Sequence, residues 1–217
     1  MFEYSGVKIS WLGHDSFRIK DSKTIYIDPY QIRGGEPADI LLVSHEHYDH
    51  CSVEDARKIV TSSTVVITTQ DSKESLSALK AKEIRIVKPG DKQVVYDISI
   101  EAVPAYNVNK FRTPGKVFHP KEDQKVGFIL SLKGLRIYHG GDTDLVPEMK
   151  DFKPDLALLP VSGTYVMTAQ EAAEATKILK PKLAIPMHYG AIVGSERDAE
   201  NFKRLASCQV EILTKET

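Results

Sequence analysis

With 217 residues, 41% hydrophobic and 27% charged, the chain can bury its own core without needing disulfides or a structural metal to fold. Its 29 basic and 30 acidic side chains leave a net charge of −1, which excludes a global basic field for nucleic acid or an anionic membrane. Two cysteines, Cys51 and Cys208, exclude a disulfide framework and fit a reducing, cytoplasmic setting.

Residues 1–6 lack the basic, apolar and small-residue sections of a signal peptide, and no apolar run approaches a membrane span. Residues 7–12, 16–20 and 23–28 read as three short strands joined by tight turns, with His14 and Asp28 at strand ends. Pro29 ends the third strand and is expected to hold Asp28 extended. A carboxylate there can orient an imidazole ligand, or serve as an ordinary turn aspartate.

Residues 40–43, Ile-Leu-Leu-Val, form a buried strand that runs into His45-Glu46-His47-Tyr48-Asp49-His50. Imidazole and carboxylate together suit zinc and its first-row neighbours, whereas calcium and magnesium prefer all-oxygen shells. On extended backbone, His45, His47 and Asp49 share a face. His50 then sits where the chain turns into a helix.

That helix starts at Ser52, with Asp55 as capping partner, and is expected to reach about residue 60. A β-branched strand at 64–68, an amphipathic helix at 71–82 and strands at 83–87, 94–96 and 98–103 follow. Residues 106–125 have no periodicity and carry Tyr106, Asn107, Lys110, Arg112, Lys116, His119 and Lys121. A segment of that length covers a site or is a mobile excursion. Its basic residues suit an anionic ligand, and equally a solvated surface.

The second half repeats the first in outline. Strands at 126–132 and 135–138 form a hairpin, followed by His139-Gly140-Gly141-Asp142, where two glycines let the backbone pass close by while the carboxylate projects. A buried strand spans 155–161, and Thr168 with Glu171 caps a helix running to about 179. The strand 183–187 ends in His188, Ser195 starts a helix through 206, and 209–214 closes the sheet. No linker or composition break appears, so residues 1–217 are read as one domain built from two similar halves.

All seven histidines fall in loops or at strand ends. A paired metal site needs a shared carboxylate and about two further ligands per ion. His45 and His47 are assigned to one ion, Asp49, His50 and His188 to the other, and Asp142 to both.

These residues resemble the metallo-β-lactamase-fold hydrolases. The match is His-x-His-x-Asp-His at residues 45–50, with Asp28, Gly141-Asp142 and His188 following the family's order. Trp11-Leu12-Gly13-His14, Tyr138-His139-Gly140-Gly141-Asp142-Thr143 and Pro186-Met187-His188-Tyr189-Gly190 are similar to the compact branch that includes the ascorbate-6-phosphate lactonases. The resemblance implies an α+β fold, an αββα sandwich, with two divalent ions at one edge of its sheets. Zinc is the first expectation, with manganese, iron or nickel as alternatives.

One departure matters. The family usually places a further histidine past the strand that here ends Val103-Pro104-Ala105-Tyr106-Asn107, and His119 is read as its replacement. Asp49 would then orient the attacking hydroxide, with Asp28 and His14 supporting it. His139, Thr164 and Tyr165 are candidate substrate or supporting contacts, each equally readable as a packing or turn residue, and Tyr106 or Asn107 would contact substrate or a bound water if His119 does not fill that place.

The implied activity is hydrolysis of an ester, lactone, amide or phosphodiester in a small substrate. The alternatives are a nuclease or phosphodiesterase acting on nucleic acid, and a catalytically weak metal- or ligand-binding protein. The sequence leaves self-association as a homo-oligomer open.

Overall fold

A computed structural model describes residues 1–216. The chain divides into two compact units, Met1–Val87 together with the chain end from Leu213, and Lys88–Ile212.

The first unit is a seven-stranded sheet in sequence order: β1 (Phe2–Tyr4), β2 (Val7–Gly13), β3 (Ser16–Lys20), β4 (Thr24–Ile27), β5 (Ile40–Val43), β6 (Val65–Thr68) and β7 (Glu83–Ile86). Strands β1 to β4 pair antiparallel, and β4 to β7 pair parallel. The apolar, β-branched runs of β5 and β6 are buried at every position, as parallel strands covered on both faces require. Leu41, Val43, Val66 and Tyr26 pack with Ala56 and Ile59 around helix α1 (Val53–Arg57) and with Leu76 of helix α2 (Lys73–Leu76).

The second unit repeats this plan. Its strands are β8 (Lys92–Val95), β9 (Ile98–Pro104), β12 (Val126–Leu132), β13 (Leu135–His139), β14 (Leu156–Pro160), β15 (Leu183–Met187) and β16 (Gln209–Val210), in the order β16-β15-β14-β13-β12-β9-β8. The pairs among β8, β9, β12 and β13 are antiparallel, and β13 to β16 are parallel. A separate hairpin pairs β10 (Phe111–Thr113) with β11 (Lys116–Val117). Each sheet therefore changes from antiparallel to parallel once, at β4 and at β13. The carboxyl ends of strands beside such a changeover are where sheets of this kind carry ligands.

Helix α3 (Ala169–Leu179) begins with a reciprocal cap. The Thr168 hydroxyl accepts from the Glu171 amide at 3.1 Å, and the Thr168 amide donates to Glu171 Oε2 at 2.8 Å. It ends at Lys180, in the left-handed region ahead of Pro181. Helix α4 (Glu196–Leu205) begins similarly, with Asp198 accepting from the Ser195 amide at 2.8 Å. Among the described residues no helix is long and apolar enough to cross a membrane.

Several expected elements differ. Helix α1 stops at Arg57, and α2 covers only Lys73–Leu76 where residues 71–82 were expected. Of that stretch Leu76 and Leu79 are buried in the core cluster and Ala81 packs partly buried against it, too short an apolar stripe to hold a longer helix. Strand β1 is additional; exposed Glu3 alternates with half-buried Phe2 and Tyr4, over a run of only three residues. The closing strand is limited to Gln209–Val210; farther along, the Glu216 amide donates to Trp11 O at 2.8 Å in the first unit. Residues 106–125 contain the β10–β11 hairpin and a short 3-10 turn at Lys121–Asp123, so they are not irregular throughout.

Candidate metal centre

In the first unit, the chain leaves β5 through Ser44 into the histidine-rich loop. Asp28, one residue past β4, is fully buried there. Its Oδ1 accepts from the Ser44 amide at 2.8 Å, and its Oδ2 accepts from the Ser44 hydroxyl at 2.6 Å and from His50 Nδ1 at 2.8 Å. A carboxylate can only accept in such bonds, so His50 carries its proton on Nδ1 and presents the lone pair of Nε2. The Ser44 hydroxyl has one proton, donated to Asp28. Towards His45 Nδ1, 3.0 Å away, it therefore accepts. His45 is thereby also protonated on Nδ1, and its Nε2 lies 3.2 Å from His47 Nδ1.

The loop bends from His45 onward. The amides of His50 and Cys51 both donate to His47 O, at 2.9 and 2.7 Å, which folds residues 47–51 into a turn. The expected common face of His45, His47 and Asp49 is therefore corrected. His45 and His47 come together, whereas Asp49 Oδ2 lies against His14 Nε2 at 3.0 Å and His50 Nε2 at 3.7 Å. Pro29 does not keep Asp28 extended either. Asp28 has φ +44°, and His14 has φ +52°. Non-glycine residues rarely take these values, and the bonds to Ser44 and His50 hold Asp28 in place against that cost.

In the second unit, β13 ends at His139 and the chain turns through Gly140 and Gly141 to Asp142. Gly141 has φ +59°, and a Cβ on Gly140 would come within 3.2 Å of Pro160. Glycine is required at the first for its backbone angle and at the second for space. His139 Nδ1 accepts from the Gly141 amide at 3.2 Å, so His139 braces this turn. Asp142 Oδ1 lies 3.4 Å from His188 Nε2, and its Oδ2 lies 3.5 Å from His119 Nε2. Thus one carboxylate faces a different imidazole with each oxygen.

His188, with φ +60° just past β15, has its Nδ1 2.9 Å from the Ser162 hydroxyl. Ser162 donates its proton to Thr164 O at 3.2 Å, so it accepts from His188 and leaves the Nε2 lone pair facing Asp142. His119 is fixed by Asn107. Asn107 Oδ1 accepts from the His119 amide at 2.9 Å, its amide donates to His119 O at 2.8 Å, and its side-chain nitrogen donates to Tyr165 O at 2.7 Å.

These sets suit a divalent transition metal. Ligand bonds of about 2.0–2.2 Å in a tetrahedral shell leave neighbouring ligand atoms roughly 3.4 Å apart. The contacts of 3.2 Å between His45 and His47 and of 3.4 and 3.5 Å at Asp142 have that spacing.

Residues 8–188 match the β-lactamase superfamily domain. A metal-dependent hydrolase of Thermococcus kodakarensis is 33% identical over 95% of both chains, and one of Pelotomaculum thermopropionicum is 33% identical over 96% of this chain and 97% of its own. A crystal structure of a protein from Parabacteroides distasonis is 32% identical, with a TM-score of 0.84, covering 97% of this chain and 94% of that one. The chain belongs to the β-lactamase superfamily. Its fold is the metallo-β-lactamase fold, and it is an enzyme of the superfamily's metal-dependent hydrolase branch.

Several of the candidate contact residues are held by bonds or ring contacts within the second unit. Asn107 is occupied with bonds to His119 in its own segment and to Tyr165 O. The Tyr106 hydroxyl donates to Glu148 at 3.0 Å, and burial together with that carboxylate raises its pKa. Thr164 takes part through its backbone, and the Tyr165 ring stacks edge-on against Phe118 at 4.7 Å. Lys110 pairs with Glu171 at 2.7 Å and Asp144 at 3.3 Å, an internal clamp where a free basic side chain was one reading. Burial pushes the Cys51 thiol up to about 11, so it is a packed cysteine of the first unit's core.

Ser44, Ser162, Asp15 and Asp144 escaped the sequence reading. Ser44 directly precedes His45, the one signal available for it. Asp144 repeats the carboxylate of Asp142 two residues on, and it accepts from the amides of Val108 and Asn109 at 2.7 and 3.0 Å.

Proposed function

We propose that this protein hydrolyses an ester, lactone or phosphodiester bond in a small anionic substrate, with two divalent ions as cofactors. His45, His47 and His119 are assigned to one ion, Asp49, His50 and His188 to the other, and Asp142 to both. Zinc suits these nitrogen and oxygen donors, as do manganese, iron and nickel. The reading rests above all on His50. Its Nδ1 proton is held by buried Asp28 at 2.8 Å, so the ring presents Nε2 to a ligand.

When bound, a divalent ion brings the pKa of a coordinated water near neutrality and polarises a carbonyl or phosphoryl oxygen. The chain supplies orientation and proton handling. Asp49 has a side chain 14% exposed while His50 is fully buried, so of the two it is the group open to solvent. Asp49 Oδ2 accepts from His14 Nε2 at 3.0 Å, which would hold the carboxylate in place to orient the attacking water and relay its proton. Asp28, Ser44 and Ser162 hold the rings and tautomers constant while this happens.

A cavity of about 670 Å³ in the second unit supports the substrate class. Its lining includes Tyr106, Phe118, Arg112 and Lys116, together with the carboxylates Glu122 and Asp123 and with Lys121, which pairs with Glu148 at 2.7 Å. That is the volume of a small-molecule site, and Arg112 and Lys116 are the cations it offers an anionic metabolite. The two free cysteines support a reducing, cytoplasmic setting.

The test is a panel of lactone, phosphodiester, thioester and single-stranded RNA substrates, each with and without added metal. His47→Ala and Asp142→Ala are expected to abolish metal-dependent turnover and to leave the circular dichroism of the metal-free protein unchanged. Full activity in either variant would overturn the assignment.

A further inference from the structure

A recess of about 290 Å³ lies within the first unit, beside the end of β2. Leu12 and Ile32 are its apolar lining, and its charged lining is Arg18, Arg33, Lys215 and Glu216. Arg18 pairs with Glu216 and also donates to Ser10 Oγ at 3.4 Å, so those two charges cancel. Arg33 and Lys215 remain. Among the described residues neither meets a carboxylate, and both side chains are exposed. Two like charges on one recess repel each other, and an anion held by both relieves that cost.

Both walls of the recess are set without any ligand. Asp55 accepts from the amides of Gln31 and Ile32 at 2.8 and 3.1 Å, and Lys58 Nζ donates to Ile32 O at 2.8 Å. These bonds hold the segment that carries Arg33. Gly34 then turns the chain with φ +119°, a value that glycine alone takes readily. At the other wall the Glu216 amide donates to Trp11 O at 2.8 Å, and the pair with Arg18 anchors the same residue. Lys215 lies across Gly13, where a Cβ would stand 3.0 Å from its Nζ. A backbone already fixed in this way costs a ligand less ordering on binding.

We propose that this recess binds a small oxyanion, a phosphate or a phosphate monoester, through Arg33 and Lys215. The planar fork of Arg33 suits two oxygens of a phosphate, and the Lys215 ammonium adds a point charge. The volume is just under the roughly 300–1,000 Å³ of small-molecule sites, room for an oxyanion carrying few carbon atoms. The site uses no residue assigned to the metal centre and none of the second unit's cavity, so it stands independently of both.

The test is a titration of the metal-free full-length protein with inorganic phosphate, and separately with glycerol 3-phosphate, at matched ionic strength and followed by heteronuclear NMR. The amide signals of Ile32, Gly34 and Lys215 are expected to move and to saturate. Saturation by either ligand upholds the site, and the tighter of the two identifies the source as free phosphate or a phosphorylated metabolite. Arg33→Gln and Lys215→Gln are each expected to weaken binding about tenfold, the scale of one lost charged hydrogen bond, and Arg33→Lys to weaken it less. Both positions are exposed, so circular dichroism should not change. Shifts that grow without saturating, or that persist unchanged in both glutamine variants, would mean a solvated basic surface and overturn the proposal.

Discussion

A serine hydroxyl has one proton, and at two points in this chain its destination fixes the chemistry of a histidine. Ser44 donates to Asp28 and accepts from His45, while Ser162 donates to Thr164 O and accepts from His188. In each case Nε2 becomes the basic nitrogen. Ser44→Ala and Ser162→Ala should each weaken metal binding about tenfold to hundredfold, as loss of an outer hydrogen bond to a ligand does elsewhere. Calorimetric titration of the metal-free variants measures this, and unchanged affinity in both would refute the tautomer argument. Residues 45–50 were readable from sequence because histidine is scarce and so many donors in six positions are conspicuous. Ser44, Ser162 and Asp15 were not. Serine and aspartate are common turn residues, and only coordinates show where their protons and charges are directed.

At the scale of elements, the start of α3 is tied to the segment before β10. Burial alone would raise the Glu171 pKa, but hydrogen bonds from Lys110, Asn109 and the Thr168 amide outweigh it and bring the carboxyl down to about 2. A folded-state pKa below the unfolded value stabilises the fold above the unfolded value, and the contribution disappears as pH falls through the folded one. Glu171→Ala should therefore lower unfolding stability near pH 7 by about 1–2 kcal/mol, the scale of a lost cap and charged hydrogen bond. In urea denaturation the gap to wild type should narrow between about pH 4.5 and 2. A gap that stays constant over that range would contradict the assigned pairing. Patterning located α3 and α4 because their caps and apolar faces agree. It overextended the helix at residues 71–82, since periodicity does not report where the surface available for packing ends. It also missed the β10–β11 hairpin, whose strands are largely exposed and carry no alternation.

Over the whole molecule, the repeated plan was legible in outline. Both halves read as closely joined strands followed by strands alternating with helices, with metal-type side chains at strand ends, and the two sheets share that order. Asp28 and Asp142 were readable at strand ends; the sequence did not show that the strands they follow, β4 and β13, are the ones at which each sheet changes from antiparallel to parallel. That arrangement makes ion binding a property of the folded chain, so ions should also raise its thermal stability.

Elemental analysis of protein purified without added metal, before and after exhaustive chelation, bears most directly on whether this chain is a two-ion enzyme. The ligand assignment predicts about two equivalents of a transition metal per chain, lost on chelation together with turnover and regained on adding metal back. A correctly folded chain that neither carries nor takes up such an ion, yet hydrolyses its substrate, would contradict it.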